Sequence, residues 1–306
     1  MAAPGRVVAL FGPTAVGKTA VAIELAELLR GRGEDPVAIC ADALQVYAGL
    51  ETLSGAASPA EQERLEHRLL GFVPVDRTFS VGGYAPLAHR EIDAALDSGR
   101  RPLVVGGTGL YLRAALTDLH LRPPPPPELR RRLELAVQER GAPALHAVLR
   151  ERAPARAAEV EPTDRSRVIR ALELVEMGEG DEGAGSANRP QLWTSEMRRP
   201  TLLVGLTMDR AELYRRVDAR VDALVAEGAA AEARRAVDRG ASRTARKALG
   251  FEELLGGDVD GMRRRTRNYA KRQLTWMRKL GAIEVMDVTG VTAPEVATQV
   301  AGRLTR

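Results

Sequence analysis

The sequence predicts an α/β fold, a parallel sheet with helices on both faces that carries a helical insertion domain. Two patterns lead there. Short apolar runs of strand length alternate with stretches that repeat apolar residues at helical spacing, and near mid-chain a run of prolines followed by charged helical segments interrupts the alternation.

Val7 to Phe11 is the first apolar run, ended by Gly12-Pro13, and Thr19 to Arg30 then shows helical periodicity. Buried-strand candidates recur at Pro36 to Cys40, Pro102 to Val105, Thr201 to Leu206 and Ile283 to Val288. Pro123 to Pro127 can lie neither within a helix nor in a central strand and mark an extended connector. Beyond it Glu128 to Arg140, Pro143 to Arg152 and Arg165 to Met177 read as helices, and the Gly-rich stretch from Gly178 to Gly185 suggests a mobile loop reaching about residue 190. The expected organisation is a first core segment over residues 1–122, an insertion over 123–200, and completion of the core with basic C-terminal helices over 201–306.

With 306 residues and 44% hydrophobic content the chain can bury a substantial core, which excludes wholesale disorder. The formal charge is +4, and of 45 basic residues only Lys18, Lys247, Lys271 and Lys279 are lysine, so arginine supplies nearly all the positive charge. Cys40 stands alone, which excludes an internal disulfide framework and a cysteine-based zinc site; His67, His89, His120 and His146 lack metal-ligand spacing. No apolar stretch approaches the roughly 20 residues that span a bilayer, and a soluble, cytoplasmic protein is expected. Nothing indicates a symmetric interface, so the expectation is a monomer.

Gly12-Pro13-Thr14-Ala15-Val16-Gly17-Lys18-Thr19 fits G-x-x-x-x-G-K-[ST] between a strand and a helix, the context in which that pattern forms a phosphate-binding P-loop. Glycine lets the loop curl so that successive N–H groups meet phosphate oxygens, Lys18 adds a point charge, and Thr19 can ligate a magnesium ion (Mg2+). The core is therefore expected to be of the P-loop kind. Which phosphate compound binds is not specified by the motif.

Two strands are candidates for the acidic residue that helps hold magnesium in nucleoside triphosphatases. Pro102 to Val105 runs instead into Gly106-Gly107-Thr108-Gly109, small residues and a hydroxyl. Pro36 to Cys40 leads to Asp42, Gln45 and Tyr47, placing a carboxylate and an amide near the loop if the strands are adjacent; such a pair can accept a proton and hydrogen-bond a nucleobase. Taken singly, Asp42 reads equally as a helix cap, Gln45 as a surface residue and Gly106-Gly107 as a tight turn.

Together with dispersed segments further along, these stretches resemble the tRNA dimethylallyltransferase family over most of the chain. Gly12 to Thr19 is similar to its phosphate loop, Ala41-Asp42 with Gln45-Val46-Tyr47 to its A-D-[S]-x-Q-[VI]-Y, His67-Arg68-Leu69 to its H-[HR]-L, and Val105 to Tyr111 to its V-G-G-T-G-L-Y. Asp164, Arg167 and Arg170 to Glu173 resemble a further motif, with Thr163 in place of asparagine; Ala248 to Glu253 and Thr266 to Trp276 resemble two more. Cys40 stands where serine is usual, and Leu50 to Ala57 lacks the common [MD]-I-G-T-A-K run.

The resemblance implies transfer of a dimethylallyl group from dimethylallyl diphosphate to N6 of the adenosine at tRNA position 37, next to the anticodon, with pyrophosphate leaving. It implies Asp42 and Thr108 as catalytic residues, Asp42 as general base, and the loop from Gly12 to Thr19 as a diphosphate cradle assisted by Arg220 or Arg216. It also implies tRNA contacts from Asp42, Ala43, Leu44, Gln45, Thr108 and Arg130, from Ser166, Arg167, Val168, Ile169 and Arg170, and from Lys247, Ala248, Leu249, Gly250, Phe251 and Glu252. From Gly261 to Leu280 there are eight basic residues and no acidic one; Arg264, Arg267, Lys271 and Arg278 share a helical face expected to meet RNA, while Tyr269 and Trp276 fall on another, expected to face the core. Three alternatives remain: the same transfer to a free adenine nucleotide, a nucleotide kinase, and a non-catalytic RNA-binding module.

Overall fold

A computed structural model describes residues 6–122, 124–179 and 192–304. The chain divides into two compact units, one made of Met1–Asp118 with Thr194–Arg306, the other of Leu119–Trp193.

The first unit begins with β1 (Val7–Phe11), five apolar residues that are all buried. A helix, α1 (Lys18–Arg30), follows the phosphate loop; Gly17 at its N-cap has φ 100°, a left-handed conformation that glycine reaches without a Cβ clash. Its apolar stripe, Val21, Ile23, Leu25 and Leu29, enters the core. β2 (Pro36–Cys40) is also fully buried. Next come β3 (Tyr47–Ala48), the short helices α2 (Glu51–Ser54) and α3 (Pro59–Arg64), β4 (His67–Arg68) and β5 (Val73–Pro74). Helix α3 starts with a reciprocal capping box between Ser58 and Glu61 and has Pro59 in its first turn, where a missing N–H costs nothing.

Ser80 caps α4 (Val81–Asp97) by accepting from the Gly83 amide, and the helix leads into β6 (Arg101–Gly106) and α5 (Gly109–Leu116). The first-unit chain resumes in β7 (Thr201–Thr207). The six strands order as β4-β2-β6-β1-β7 with a final β8 (Ile283–Asp287) at the far edge, every pair parallel. In register, Val8 opposes Leu103 on one side and Leu202 on the other. Because side chains alternate across a strand, the burial of every residue in β1 and β2 means that both faces are covered. The sheet is thus the expected parallel α/β sheet, with β4 a two-residue edge strand that the sequence did not announce.

The described residues of the second unit include helices α6 (Pro127–Arg140), α7 (Ala142–Arg152), α8 (Pro154–Ala158) and α9 (Arg165–Glu176), around Leu133, Val137, Leu145, Leu149, Val168 and Leu172. Pro127, expected to stay outside any helix, is the first residue of α6, a position that proline's fixed φ suits. Pro123 and the Gly-rich stretch from residue 180 lie outside the described residues.

After β7 the first unit adds α10 (Arg210–Ala226), α11 (Ala229–Asp238), α12 (Phe251–Leu255), α13 (Val259–Met277) and, after β8, α14 (Ala293–Arg303), which packs against α1. Among the described residues no helix is long and apolar enough to cross a membrane.

Candidate active site

Strands β1, β2 and β6 run side by side and end at one edge of the sheet, so the segments after them meet there. A cavity of about 550 Å³ opens at this edge, lined among others by Lys18, Thr19, Asp42, Gln45, Arg220 and Tyr269, a volume in the range of small-molecule sites.

The phosphate loop forms one wall. Ala15 has φ 66° and Gly17 φ 100°, two left-handed residues that bend the loop so that neighbouring amides converge, while the first N–H groups of α1 have no intrahelical acceptor. Lys18 Nζ donates to the Gly12 and Pro13 carbonyls, both at 2.9 Å, which leaves a third proton for a ligand. Burial brings the ammonium down to about 8, partly opposed by the Asp42 charge and reinforced by Arg220. Gly12 is required by packing, since a Cβ there would lie 2.7 Å from the Leu206 carbonyl oxygen.

The opposite wall is the turn after β2. Asp42 Oδ1 accepts from the Leu44 amide at 3.0 Å, a side-chain turn that fixes the carboxylate and leaves its other oxygen unused in that turn. Thr108, at the N-cap of α5, accepts from the Ala43 amide at 3.2 Å and shares a 3.3 Å hydrogen bond with the Tyr269 hydroxyl. A Cβ on Gly106 would overlap the Ala41 carbonyl, so the two strand ends approach as closely as they do only because residue 106 has no side chain. Burial raises the Tyr269 and Tyr111 hydroxyls far above neutral pH, keeping both protonated.

Gln45, considered as a nucleobase reader, is turned to the protein's own chain. Its Oε1 accepts from the Cys40 thiol at 3.3 Å and its Nε2 donates to the Gly55 carbonyl at 3.0 Å. Arg220 donates to the same carbonyl at 2.9 Å, which holds its guanidinium against the cavity. Arg216 instead pairs with Glu212 at 2.8 Å on an exposed face. Glu232, a buried carboxylate, accepts from the Thr52 and Leu53 amides at 3.0 and 2.6 Å and so fixes α2 beside Gln45 and Gly55.

Helix α13 departs most from expectation. Tyr269, expected to face the core, lines the cavity, and Trp276 stacks so close to Gly109 that any Cβ there would overlap its ring. Gln273, which the sequence placed within a segment that resembles a family motif but gave no role, is 4% exposed and joins both walls: its Oε1 accepts from the Thr14 amide and its Nε2 donates to the Gly107 carbonyl, each at 2.8 Å. Two of the four residues of the face expected to meet RNA are paired with acids, Arg264 with Asp258 at the helix N-cap and Arg267 with Asp218 on α10; beside that face Arg263 pairs with Asp222 and Asp260 and Arg265 with Glu253. Lys271 and Arg278 are exposed; Lys271 Nζ lies 3.5 Å from Asn268 Oδ1 and 5.9 Å from the centre of the Tyr214 ring, and Arg278 donates to the Thr275 hydroxyl at 3.1 Å.

Of the other candidate residues, Ala248 and Phe251 are fully buried, Gly250 caps α12 at φ 88°, and Glu252 pairs with Arg246 at 2.8 Å; Leu249 lines the cavity and Lys247 closes a short 3-10 turn. Within the second unit Val168 and Ile169 belong to the core, whereas Ser166 and Arg167 are exposed at the start of α9. Arg130 grips the fully buried Glu173 carboxylate through two hydrogen bonds of 2.6 and 2.7 Å, and Arg170 approaches it at 3.3 Å.

Taken together, a phosphate loop on a parallel sheet, with a carboxylate and a hydroxyl across a shared cavity, defines a P-loop α/β protein built to hold a phosphorylated ligand beside a proton acceptor. The family described as IPP transferase matches residues 45–280, and one described as isopentenyl transferase matches residues 5–84. The chain belongs to the IPP transferase family. It is 36% identical to the tRNA dimethylallyltransferase of Geobacillus thermodenitrificans (strain NG80-2) over 98% of its length and 97% of that protein's, and 32% identical to that of Bacillus subtilis (strain 168) over 97% of each. A solved structure of the tRNA isopentenylpyrophosphate transferase from Bacillus halodurans covers 98% of this chain and 97% of its own, with TM-score 0.68 and 32% identity. A eukaryotic dimethylallyltransferase acting on tRNA shares the fold, with TM-score 0.74 at 22% identity over 93% of this chain and 74% of its own.

Proposed function

We propose that the protein transfers the dimethylallyl group of dimethylallyl diphosphate to N6 of the adenosine at tRNA position 37, next to the anticodon, forming N6-dimethylallyladenosine and releasing pyrophosphate. The observation that carries this reading is the single cavity in which Lys18 and Arg220 share space with Asp42. Cations there suit a departing diphosphate, and a carboxylate suits an amine that must lose a proton.

In the reaction the bond between the prenyl carbon and the diphosphate oxygen breaks, its electron pair leaving with pyrophosphate, while the adenine amine donates its lone pair to that carbon. The N6 proton passes to Asp42, whose Oδ1 is already tied to Leu44 and whose Oδ2 takes the proton. The third Lys18 proton, the loop amides and the Arg220 guanidinium hold the charge that gathers on the leaving group. Thr108, fixed by Ala43 and Tyr269, orients the amine.

The Thr19 hydroxyl lines the cavity, and such a hard oxygen donor would hold a magnesium ion there, leaving Asp42 free as the base. When bound, the ion offsets charge on the diphosphate. An adenine stacked in an anticodon loop cannot reach Asp42, so it must be extruded into the cavity. Arg130, Arg167 and Arg170 in the second unit, and Lys247 in the first, are proposed to position tRNA through phosphates, with Ser166 and Leu249 beside them.

The test follows labelled dimethylallyl diphosphate into unmodified tRNA bearing an adenosine after the anticodon, with AMP as parallel acceptor. Label in tRNA alone, lost in Asp42→Ala and Lys18→Ala, is expected. Label in AMP alone sinks the tRNA assignment.

A further inference from the structure

We infer that Glu232 is a positioning residue for the transfer reaction: by fixing α2 it holds the Gly55 carbonyl where that oxygen aims the Arg220 guanidinium into the cavity. The inference rests on the prenyl transfer proposed above, in which Arg220 takes up charge on the departing diphosphate.

A guanidinium at the end of a long side chain samples many rotamers, so a cation that must meet developing charge needs a partner that is itself held still. Arg220, on α10, has such a partner in the Gly55 carbonyl, to which it donates at 2.9 Å. The seat is close, because a Cβ on Gly55 would overlap Arg220 Nη2. Gln45 Nε2 donates to the same carbonyl at 3.0 Å, so both lone pairs of that oxygen are engaged and its direction is set from two sides.

Gly55 is the C-cap of α2, a helix of four residues with too few internal hydrogen bonds to persist alone. Its anchor comes from α11. Glu232, 5% exposed, accepts from the Thr52 amide at 3.0 Å and from the Leu53 amide at 2.6 Å, one carboxylate oxygen to each. The Leu53 N–H lies in the same peptide plane as the Thr52 carbonyl, which accepts from the Gly55 amide at 2.9 Å. One rigid plane thus joins the carboxylate to the residue on which Arg220 rests. Burial draws the Arg220 guanidinium below its ordinary pKa, and the charges that oppose this are those of Glu61, Glu227 and Asp42. Glu232 acts on Arg220 through the chain and not through its own field.

The test is a double-mutant cycle on prenyl transfer from labelled donor to unmodified tRNA, run on the full chain with circular dichroism to establish that each variant is folded. Glu232→Gln keeps the shape of the side chain but turns an N–H toward one of the two amides, so α2 loses half of its anchor. It is expected to lower kcat about tenfold or more with KM for tRNA unchanged, within the ~10²-fold that a displacement of about 1 Å can remove. In an Arg220→Ala background the same change should alter kcat by less than about twofold, because the group it positions is gone. Glu232→Asp retains both acceptors on a shorter stem and should recover part of the loss; it carries the cycle if Glu232→Gln does not fold. A carboxylate that only stabilises the fold gives equal factors in both backgrounds, and that result overturns the inference. A folded Glu232→Gln protein working at the wild-type rate overturns it too. Arg220→Ala at the wild-type rate removes the group to be positioned and overturns the inference while prenyl transfer stands. If the wild type itself puts no label into tRNA, the transfer reading fails and this inference falls with it.

Discussion

Raising the pH perturbs the phosphate site at one identifiable group. The Lys18 ammonium is brought down from 10.5 to about 8, chiefly by burial, so near pH 9 about a tenth of the free protein carries the charge there. An anionic ligand binds the charged form and raises its pKa again. Affinity for a diphosphate ester should therefore be level up to about pH 7 and fall above about 8, approaching tenfold per unit until the complex itself titrates. The measurement is calorimetry with a non-transferable dimethylallyl diphosphate analogue, repeated in buffers of different ionisation enthalpy to count the protons taken up. Lys18→Arg, cationic throughout, should bind more weakly because the fork does not match the pocket, yet give a flat profile. A flat wild-type profile between pH 7 and 9.5, or the same fall in Lys18→Arg, would refute the reasoning. Stability follows the opposite sense: between about 8 and 10.5 the unfolded chain holds a proton on Lys18 that the folded chain lacks, so this group makes the free protein more stable as pH rises through that window.

Asp42→Asn should lower turnover by about 10²- to 10⁴-fold, the usual worth of a general base, with diphosphate affinity preserved or improved; rapid-quench assays on labelled donor read the first and calorimetry the second. Gly106→Ala places a Cβ into the Ala41 carbonyl and should cost about 1–3 kcal/mol or more, seen as a lower denaturant midpoint with weakened binding. Glu173→Ala removes a fully buried carboxylate from two arginines that are about a third exposed. Solvent can recover part of those charges, so about 2 kcal/mol is expected rather than the full cost of a buried pair, measured by urea unfolding.

The central strands were legible because each is apolar along its whole length: Val7–Phe11 and Pro36–Cys40 coincide with the runs read from the sequence. The two-residue strands at Tyr47–Ala48, His67–Arg68 and Val73–Pro74 were not, since pairs of residues carry no periodicity. In the cavity, Lys18, Asp42 and Arg220 were foreseen, Lys18 from a local motif with a mechanical reason, Asp42 from its place after a buried strand and then from the resemblance, and Arg220 with the reaction the resemblance implies. Gln273 fell within a segment that resembles a family motif, but its role was not legible because its partners, Thr14 and Gly107, lie far away in sequence. The pairing of Arg264 with Asp258 and of Arg267 with Asp218 on α10 was equally hidden, although Lys271 and Arg278 of the same face pair with no acid among the described residues. Charge pattern within one helix says nothing of the helix beside it.

The placement of β1 between β6 and β7 has a bearing on how the protein is made. The strand that launches the phosphate loop leaves the ribosome well before its second neighbour, which is not available until residues 201–207 have been synthesised. The contact between Thr14 and Gln273 spans 259 positions and waits longer still. A nascent chain must therefore carry this wholly apolar strand with one edge unpaired until residues 201–207 follow, and the link from the cradle to Gln273 forms only after α13 has been made. Ribosome pausing or truncation anywhere before α13 would yield a chain that has the phosphate loop without the brace that Gln273 provides, and chaperone dependence of expression should track that interval.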